Sequence, residues 1–107
     1  MSHRKKLIRK HFRQAVFDRD GYRCVFCPIT EDLDAHHITD RTLMPNGGYV
    51  LENGITLCPE HHQTAEIYHV SNHQNWEEGF HPDDLYQIIR SSFEKAHRAS
   101  SVLQIFD

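Results

Sequence analysis

Residues 55–66 read Ile55-Thr56-Leu57-Cys58-Pro59-Glu60-His61-His62-Gln63-Thr64-Ala65-Glu66, and their order decides the fold. The first three form a short apolar, β-branched run, which predicts a strand. Cys58-Pro59-Glu60 then predicts a helix start, with proline at the first helical position and an acid in the first turn. That helix is expected to reach about His69. Upstream, Leu33-Asp34-Ala35-His36-His37-Ile38 predicts a second short strand over residues 33–38. A long loop, from Thr39 to about Asn53, separates the strands and carries the turn signal Pro45-Asn46-Gly47-Gly48. The order is therefore strand, long loop, strand and helix, an α+β class.

Cysteine spacing adds a clip to this unit. Cys24-x-x-Cys27 and Cys58-x-x-His61 each have the two-residue gap that lets both side chains meet on one tetrahedral ion. Thiolates and imidazole are Zn²⁺ ligands, and four protein ligands close the site, so the expected ion is a structural zinc. Three buried free cysteines and an incidental histidine are the competing reading. Two matched gaps that use every cysteine in the chain argue against it. An odd number of cysteines also argues against a disulfide framework.

The remaining histidines form a second set: His36, His37 and His62, with Asn53 nearby in sequence. A tandem pair on a strand directs its two rings to opposite faces, so one can hold an ion while the other meets a water molecule. His62 follows the zinc ligand His61, so the helix turn aims it away from the zinc and toward the strand pair. Glu66 lies at i+4 from His62 and shares its face. Singly, each residue reads as a surface histidine; framed by the zinc ligands, they read as a site.

The elements around this core are helices. Residues 4–18 predict one from the spacing of Leu7, Ile8, Phe12, Ala15 and Val16, stopped by Asp20-Gly21. Residues 82–99 predict another, opened by Pro82-Asp83-Asp84, with Leu85, Ile88, Ile89, Phe93 and Ala96 on one face as a packing lid. Residues 70–80 are irregular and polar.

Taken together, residues 12–66 resemble the HNH endonuclease motif of zinc-framed phage and bacterial nucleases, which have the ββα-metal fold. The matching residues are Arg19-Asp20-Gly21-Tyr22-Arg23-Cys24-Val25-Phe26-Cys27, Asp34-Ala35-His36-His37-Ile38, Gly47-Gly48, Asn53-Gly54-Ile55-Thr56-Leu57-Cys58 and His61-His62. The resemblance implies that His37 is the general base and that His36 binds a catalytic divalent ion. It implies that Asn53 either ligates that ion or braces the loop holding the base, and that His62 is a metal or phosphate ligand. It further implies hydrolysis of DNA phosphodiesters to a 5′-phosphate and a 3′-hydroxyl, with a single Mg²⁺, Mn²⁺, Ni²⁺ or Zn²⁺. Three departures stand out. His61 replaces the fourth cysteine of the zinc-framed members. Glu66 stands where colicin-type members place another histidine. The Lys or Arg often found after the final histidine is missing from Gln63-Thr64-Ala65-Glu66.

Length and charge fit this reading. The 107 residues make one domain, with 1–23 as a basic arm, 24–69 as the zinc-framed core and 82–99 as the last helix. The net charge of −3 is divided along the chain: residues 1–23 carry +6 and the rest −9. Arg4, Lys5, Lys6, Arg9, Lys10, Arg13, Arg19 and Arg23 are the candidate phosphate contacts, against the plainer reading of a solvated helix face. The expected partner is double-stranded DNA and not a membrane, because no apolar run approaches the roughly 20 residues of a membrane span. The charged N-terminus leads into no apolar signal core, so the expected location is the cytoplasm of a bacterium or phage-infected host. A protein partner for targeting and a homodimer for double-strand cutting are further options. Two other classes compete: a catalytically inactive, zinc-stabilised nucleic-acid-binding module, and a zinc-dependent protein-interaction module.

Overall fold

The hairpin is antiparallel and only four residues long on each side. In the computed structural model, which describes residues 3–103, β1 (Asp34–His37) pairs with β2 (Gly54–Leu57) in the register Asp34↔Leu57, Ala35↔Thr56, His36↔Ile55 and His37↔Gly54. Helix α1 (His3–Asp20) precedes the pair, α2 (Pro59–Val70) follows it, and α3 (Pro82–Ile88) and α4 (Phe93–Ser101) close the described chain. The protein is thus mixed α/β, with four helices and one two-stranded sheet among the described residues. Residues 1–2 and 104–107, the ends of the predicted 1–107 domain, lie outside them.

Helix α1 lies across the hairpin, and Gly54 is the residue that lets it come close. A β-carbon there would stand 2.8 Å from the Phe12 ring, inside any van der Waals contact. The helix ends where Gly21 (φ 76°) and Tyr22 (φ 57°) turn left-handed, with Tyr22 N–H donating to the Phe17 carbonyl at 2.9 Å. Asp20 then reaches β2 and accepts from the Thr56 amide at 3.0 Å. The predicted apolar stripe of α1 is narrower than its spacing suggested. Phe12 and Val16 are buried, whereas Leu7 and Ala15 are exposed, because the hairpin is too short to cover more than two turns.

The loop between the strands is built from three 3-10 turns, Arg41–Leu43, Pro45–Gly48 and Leu51–Asn53. Asn53 holds it together. The residue is fully buried; its Oδ1 accepts from the Thr39 amide (2.9 Å) and the Tyr86 hydroxyl (2.8 Å). Its Nδ2 donates to the carbonyls of Thr39 (3.0 Å) and Gly48 (3.2 Å). All four hydrogen-bonding positions of the amide are therefore used.

The single helix predicted over 82–99 is two helices. Arg90 adopts φ 58°, and the amides of Arg90 and Ser91 bond back to the carbonyls of Gln87 (3.0 Å) and Tyr86 (2.8 Å), which terminates α3. Ser92 then caps α4, its Oγ accepting from the Lys95 amide at 3.1 Å. The break rotates the expected apolar face. Leu85 and Ala96 remain buried, but Ile88 and Phe93 are exposed. Helix α4 packs on the inter-strand loop: the buried Ser100 hydroxyl accepts from the Gly48 amide (3.0 Å) and donates to the Pro45 carbonyl. Among the described residues, no helix is long and apolar enough to cross a membrane.

Candidate functional site

Two groups of side chains among the described residues are placed to hold a metal ion, and each takes a histidine from the first turn of α2. The first is Cys24, Cys27, Cys58 and His61. Cys58 is the residue before α2 and His61 lies within its first turn, while Cys24 and Cys27 come from the knuckle after α1. The Val25 amide donates to the Thr56 carbonyl at 3.1 Å, which docks that knuckle beside β2. Sγ of Cys27 and Cys58 are 3.8 Å apart, and His61 Nδ1 lies 3.5 Å from Cys24 Sγ and 3.2 Å from Cys58 Sγ. Bond lengths of about 2.3 Å for Zn–S and about 2.0 Å for Zn–N imply tetrahedral edges of about 3.8 Å (S···S) and about 3.5 Å (S···N). The spacing fits a zinc ion. Burial opposes ionisation of the Cys58 thiol, but hydrogen bonding to the His61 backbone and ring and to the neighbouring thiols brings it down to about 7. A thiol of that acidity is poised to ligate as thiolate.

The second group is His36, His62 and Glu66, whose ligand atoms lie within 4.8 Å of one another. It combines β1 with one face of α2. His62 Nε2 stands 3.5 Å from Glu66 Oε1, as the i, i+4 spacing requires. The other ring nitrogen, Nδ1, faces Asp34 Oδ2 at 3.3 Å. Asp34 is held in turn by Arg13, whose Nη1 donates to Oδ1 at 3.0 Å while Nη2 donates to the Leu33 carbonyl at 2.9 Å. A carboxylate on the far nitrogen is how ligating imidazoles are usually oriented. Hydrogen bonding to Glu66 raises the pKa of His62, partly offset by burial, and lowers that of Glu66. His36 is buried, its Nε2 has no hydrogen-bond partner, and burial lowers its pKa from 6.5 to about 3. Two imidazoles, one with an unsatisfied buried nitrogen, and a carboxylate fit a divalent ion with coordination positions left over.

His37 lies beside this group but outside it. Its ring packs on Phe12 and Tyr49, with centroids 4.7 Å away in each case. Burial lowers its pKa to about 4 although the charge of Asp40 opposes the shift, so the ring is neutral at pH 7. Nε2 of His37 has no hydrogen-bond partner. The two rings of the tandem pair do take different surroundings. An open cleft of about 380 Å³ passes over both, edged by Arg9, Arg13 and Arg41.

The eight predicted cationic contacts separate into classes. Arg9 and Arg13 edge the cleft, and Lys5 continues their stripe one turn earlier. Arg19 is turned inward: it pairs with Asp20 and donates to the carbonyls of Leu51 (2.9 Å) and Gly54 (2.6 Å). Its guanidinium thus clamps α1 to the start of β2. Arg4, Lys6, Lys10 and Arg23 are exposed and do not edge the cleft. Asn53 is likewise not brought to the His36 group; of its two expected roles, the bracing of the loop is the one its hydrogen bonds perform.

Three residues, Asp34, Arg41 and His69, were not singled out for a role at this site by sequence. Asp34 supports His62, and its position two before His36 puts both on one strand face. Arg41 and Tyr49 come from the loop, with the Arg41 guanidinium 3.5 Å from the Tyr49 hydroxyl. His69 stacks on His36 (5.3 Å) and its Nε2 donates to the His37 carbonyl at 3.1 Å. That bond fixes the tautomer, leaving the buried Nδ1 as an unpartnered acceptor. The i+3 step from Glu66 was the only sequence signal for it. In comparisons with known proteins, no family model, no curated protein and no solved structure matches the chain.

Proposed function

We propose that the protein is a metal-dependent DNA endonuclease of the HNH type, with the hairpin and α2 forming a ββα-metal core framed by structural zinc. The observation that carries this reading is the neutral His37 ring next to the His36–His62–Glu66 group in a cleft edged by arginines. A phosphodiester is an anion that repels hydroxide, so its hydrolysis needs a positioned base and positive charge on the phosphate.

In this reading His37 takes a proton from the attacking water, and packing on Phe12 and Tyr49 holds its ring in place. Arg9 and Arg41 orient the phosphodiester; Arg13 acts indirectly, by fixing Asp34 and through it His62. A divalent ion held by His36, His62 and Glu66 would supply charge neutralisation at the non-bridging oxygen and at the leaving 3′-oxygen. Glu66 takes the ligand place that sequence left open. The products would be a 5′-phosphate and a 3′-hydroxyl.

The test is cleavage of supercoiled plasmid with Mg²⁺, Mn²⁺ or Ni²⁺, beside the His37→Ala variant. Metal-dependent nicking that the variant loses, while keeping its melting temperature and DNA affinity, is the expected result. No cleavage with any metal, despite bound zinc and salt-sensitive DNA binding, would leave the inactive binding module in its place.

A further inference from the structure

Among the described residues, three buried side-chain nitrogens have no hydrogen-bond partner: His36 Nε2, His37 Nε2 and His69 Nδ1. Buried polar atoms are nearly always paired, so three exceptions on neighbouring histidines call for a reason. In the proposed reaction His36 takes the ion and His37 takes the proton of the attacking water. His69 has a part in neither.

His69 lies in the last turn of α2, one turn after Glu66 and two after His62, so it continues their face. From there it reaches both members of the tandem pair. Its ring stacks on that of His36 (28° between planes, centroids 5.3 Å apart), which His62 meets edge-on at 5.2 Å. Its Nε2–H donates to the backbone carbonyl of His37 at 3.1 Å. The bond ties the residue that carries the base to the helix that carries His62 and Glu66. Such a tie matters here, because β1 ends at His37 and has only four residues. A two-stranded sheet of that size is marginal by itself, so the position of its end depends on what holds it.

The other ring nitrogen shows that packing alone does not account for a histidine here. With the proton on Nε2, Nδ1 is a bare acceptor, buried and unpaired. A phenylalanine would offer a similar flat ring to His36 and bury no polar atom.

We propose that His69 is a positioning residue for the base: by holding the His37 carbonyl to α2, it sets where the His37 ring stands relative to the His36–His62–Glu66 group. The inference rests on the nuclease reading above and adds to it a residue that does not line the cleft.

Two substitutions separate the bond from the ring. His69→Phe keeps a ring against His36 and removes the donor; His69→Gln removes the ring and keeps an amide N–H that can take the place of Nε2–H. Cleavage of a DNA duplex with Mn²⁺ should show kcat about 10–100-fold lower in His69→Phe. KM, calorimetric Mn²⁺ affinity and melting temperature should stay close to wild type, and His69→Gln should recover most of the lost kcat. A wild-type kcat in His69→Phe, an equal loss in both variants, or a loss that follows the melting temperature would overturn the proposal. A second readout needs no turnover. In NMR spectra of the zinc-loaded protein, the NOE contacts of the His37 ring to Phe12 and Tyr49 should weaken in His69→Phe and persist in His69→Gln. Contacts unchanged in both variants also overturn it. If wild type cleaves no DNA with any metal while these contacts respond, the nuclease reading fails and the positioning role stands. If wild type cleaves and His69→Phe cleaves equally well, the reverse holds.

Discussion

The two metal-capable groups share the first turn of α2 and differ in almost everything else. Cys24, Cys27, Cys58 and His61 supply four donors with tetrahedral spacing, and the ion they fit would have no position left for water. His36, His62 and Glu66 supply three donors, open onto a cleft, with one imidazole buried and unpartnered. Sulfur sits between the knuckle after α1 and the start of α2; nitrogen and oxygen sit at the open cleft. The support differs as well. The cysteine group is held by backbone bonds of the knuckle, whereas His62 is held by a side-chain chain through Asp34 to Arg13. In the proposed reading, one group serves the fold and the other the chemistry.

Breaking the closed group should cost most. Structural zinc contributes about 10–16 kcal/mol in small zinc domains, so Cys24→Ser should abolish cooperative melting and bound zinc together; a circular-dichroism melt like that of wild type would contradict this. At the open group, His62→Ala should leave the melt and zinc content intact and reduce Mn²⁺ affinity, measured calorimetrically, by more than the roughly 10–100-fold typical of losing an outer partner. Asn53→Ala sharpens the distinction between a ligand and a brace. It leaves three backbone groups without their partner, the Tyr86 hydroxyl keeping Thr39 Oγ1 at 2.6 Å, and should destabilise the fold by roughly 3 kcal/mol in urea titrations, with Mn²⁺ affinity nearly unchanged. Asp34→Asn should weaken Mn²⁺ binding by about 10–100-fold through misdirected His62, with zinc occupancy unaltered.

The smallest effect is one of pH. His36 is held neutral in the fold, its pKa lowered by burial from 6.5 to about 3. Below pH 6.5 the unfolded chain binds a proton that the folded chain refuses, so stability is lost as pH falls toward 3. Between pH 7 and pH 5.5 one such ring accounts for about 1 kcal/mol. The wild-type melting temperature should therefore fall more steeply over that interval than that of His36→Gln. Parallel slopes would show that the ring is protonated without cost.

What the sequence made legible follows from the range of the interactions. The cysteine gaps, the strand–loop–strand–helix order and the i, i+4 pair His62–Glu66 are local, and the expected spans agree with the structure to within one or two residues. Tertiary contacts were not legible. Arg19 reads as one more surface cation until Asp20 and the carbonyls of Leu51 and Gly54 surround it. His69 stacks on His36, and Arg41 reaches the cleft, only because α2 and the loop converge on β1. The break between α3 and α4 fell on Arg90, where no glycine announces the left-handed turn, although Ser91-Ser92 was an available capping signal.

The division between a closed and an open site can be tested by counting ions. Native mass spectrometry of the zinc-loaded protein, titrated with Mn²⁺ and followed in parallel by plasmid cleavage, reads both sites at once. The predicted result is one zinc per chain that survives dilution, a second ion that exchanges, and cleavage that rises with occupancy of the second. A single ion per chain throughout the titration, or full cleavage with the second position unfilled, would contradict the account.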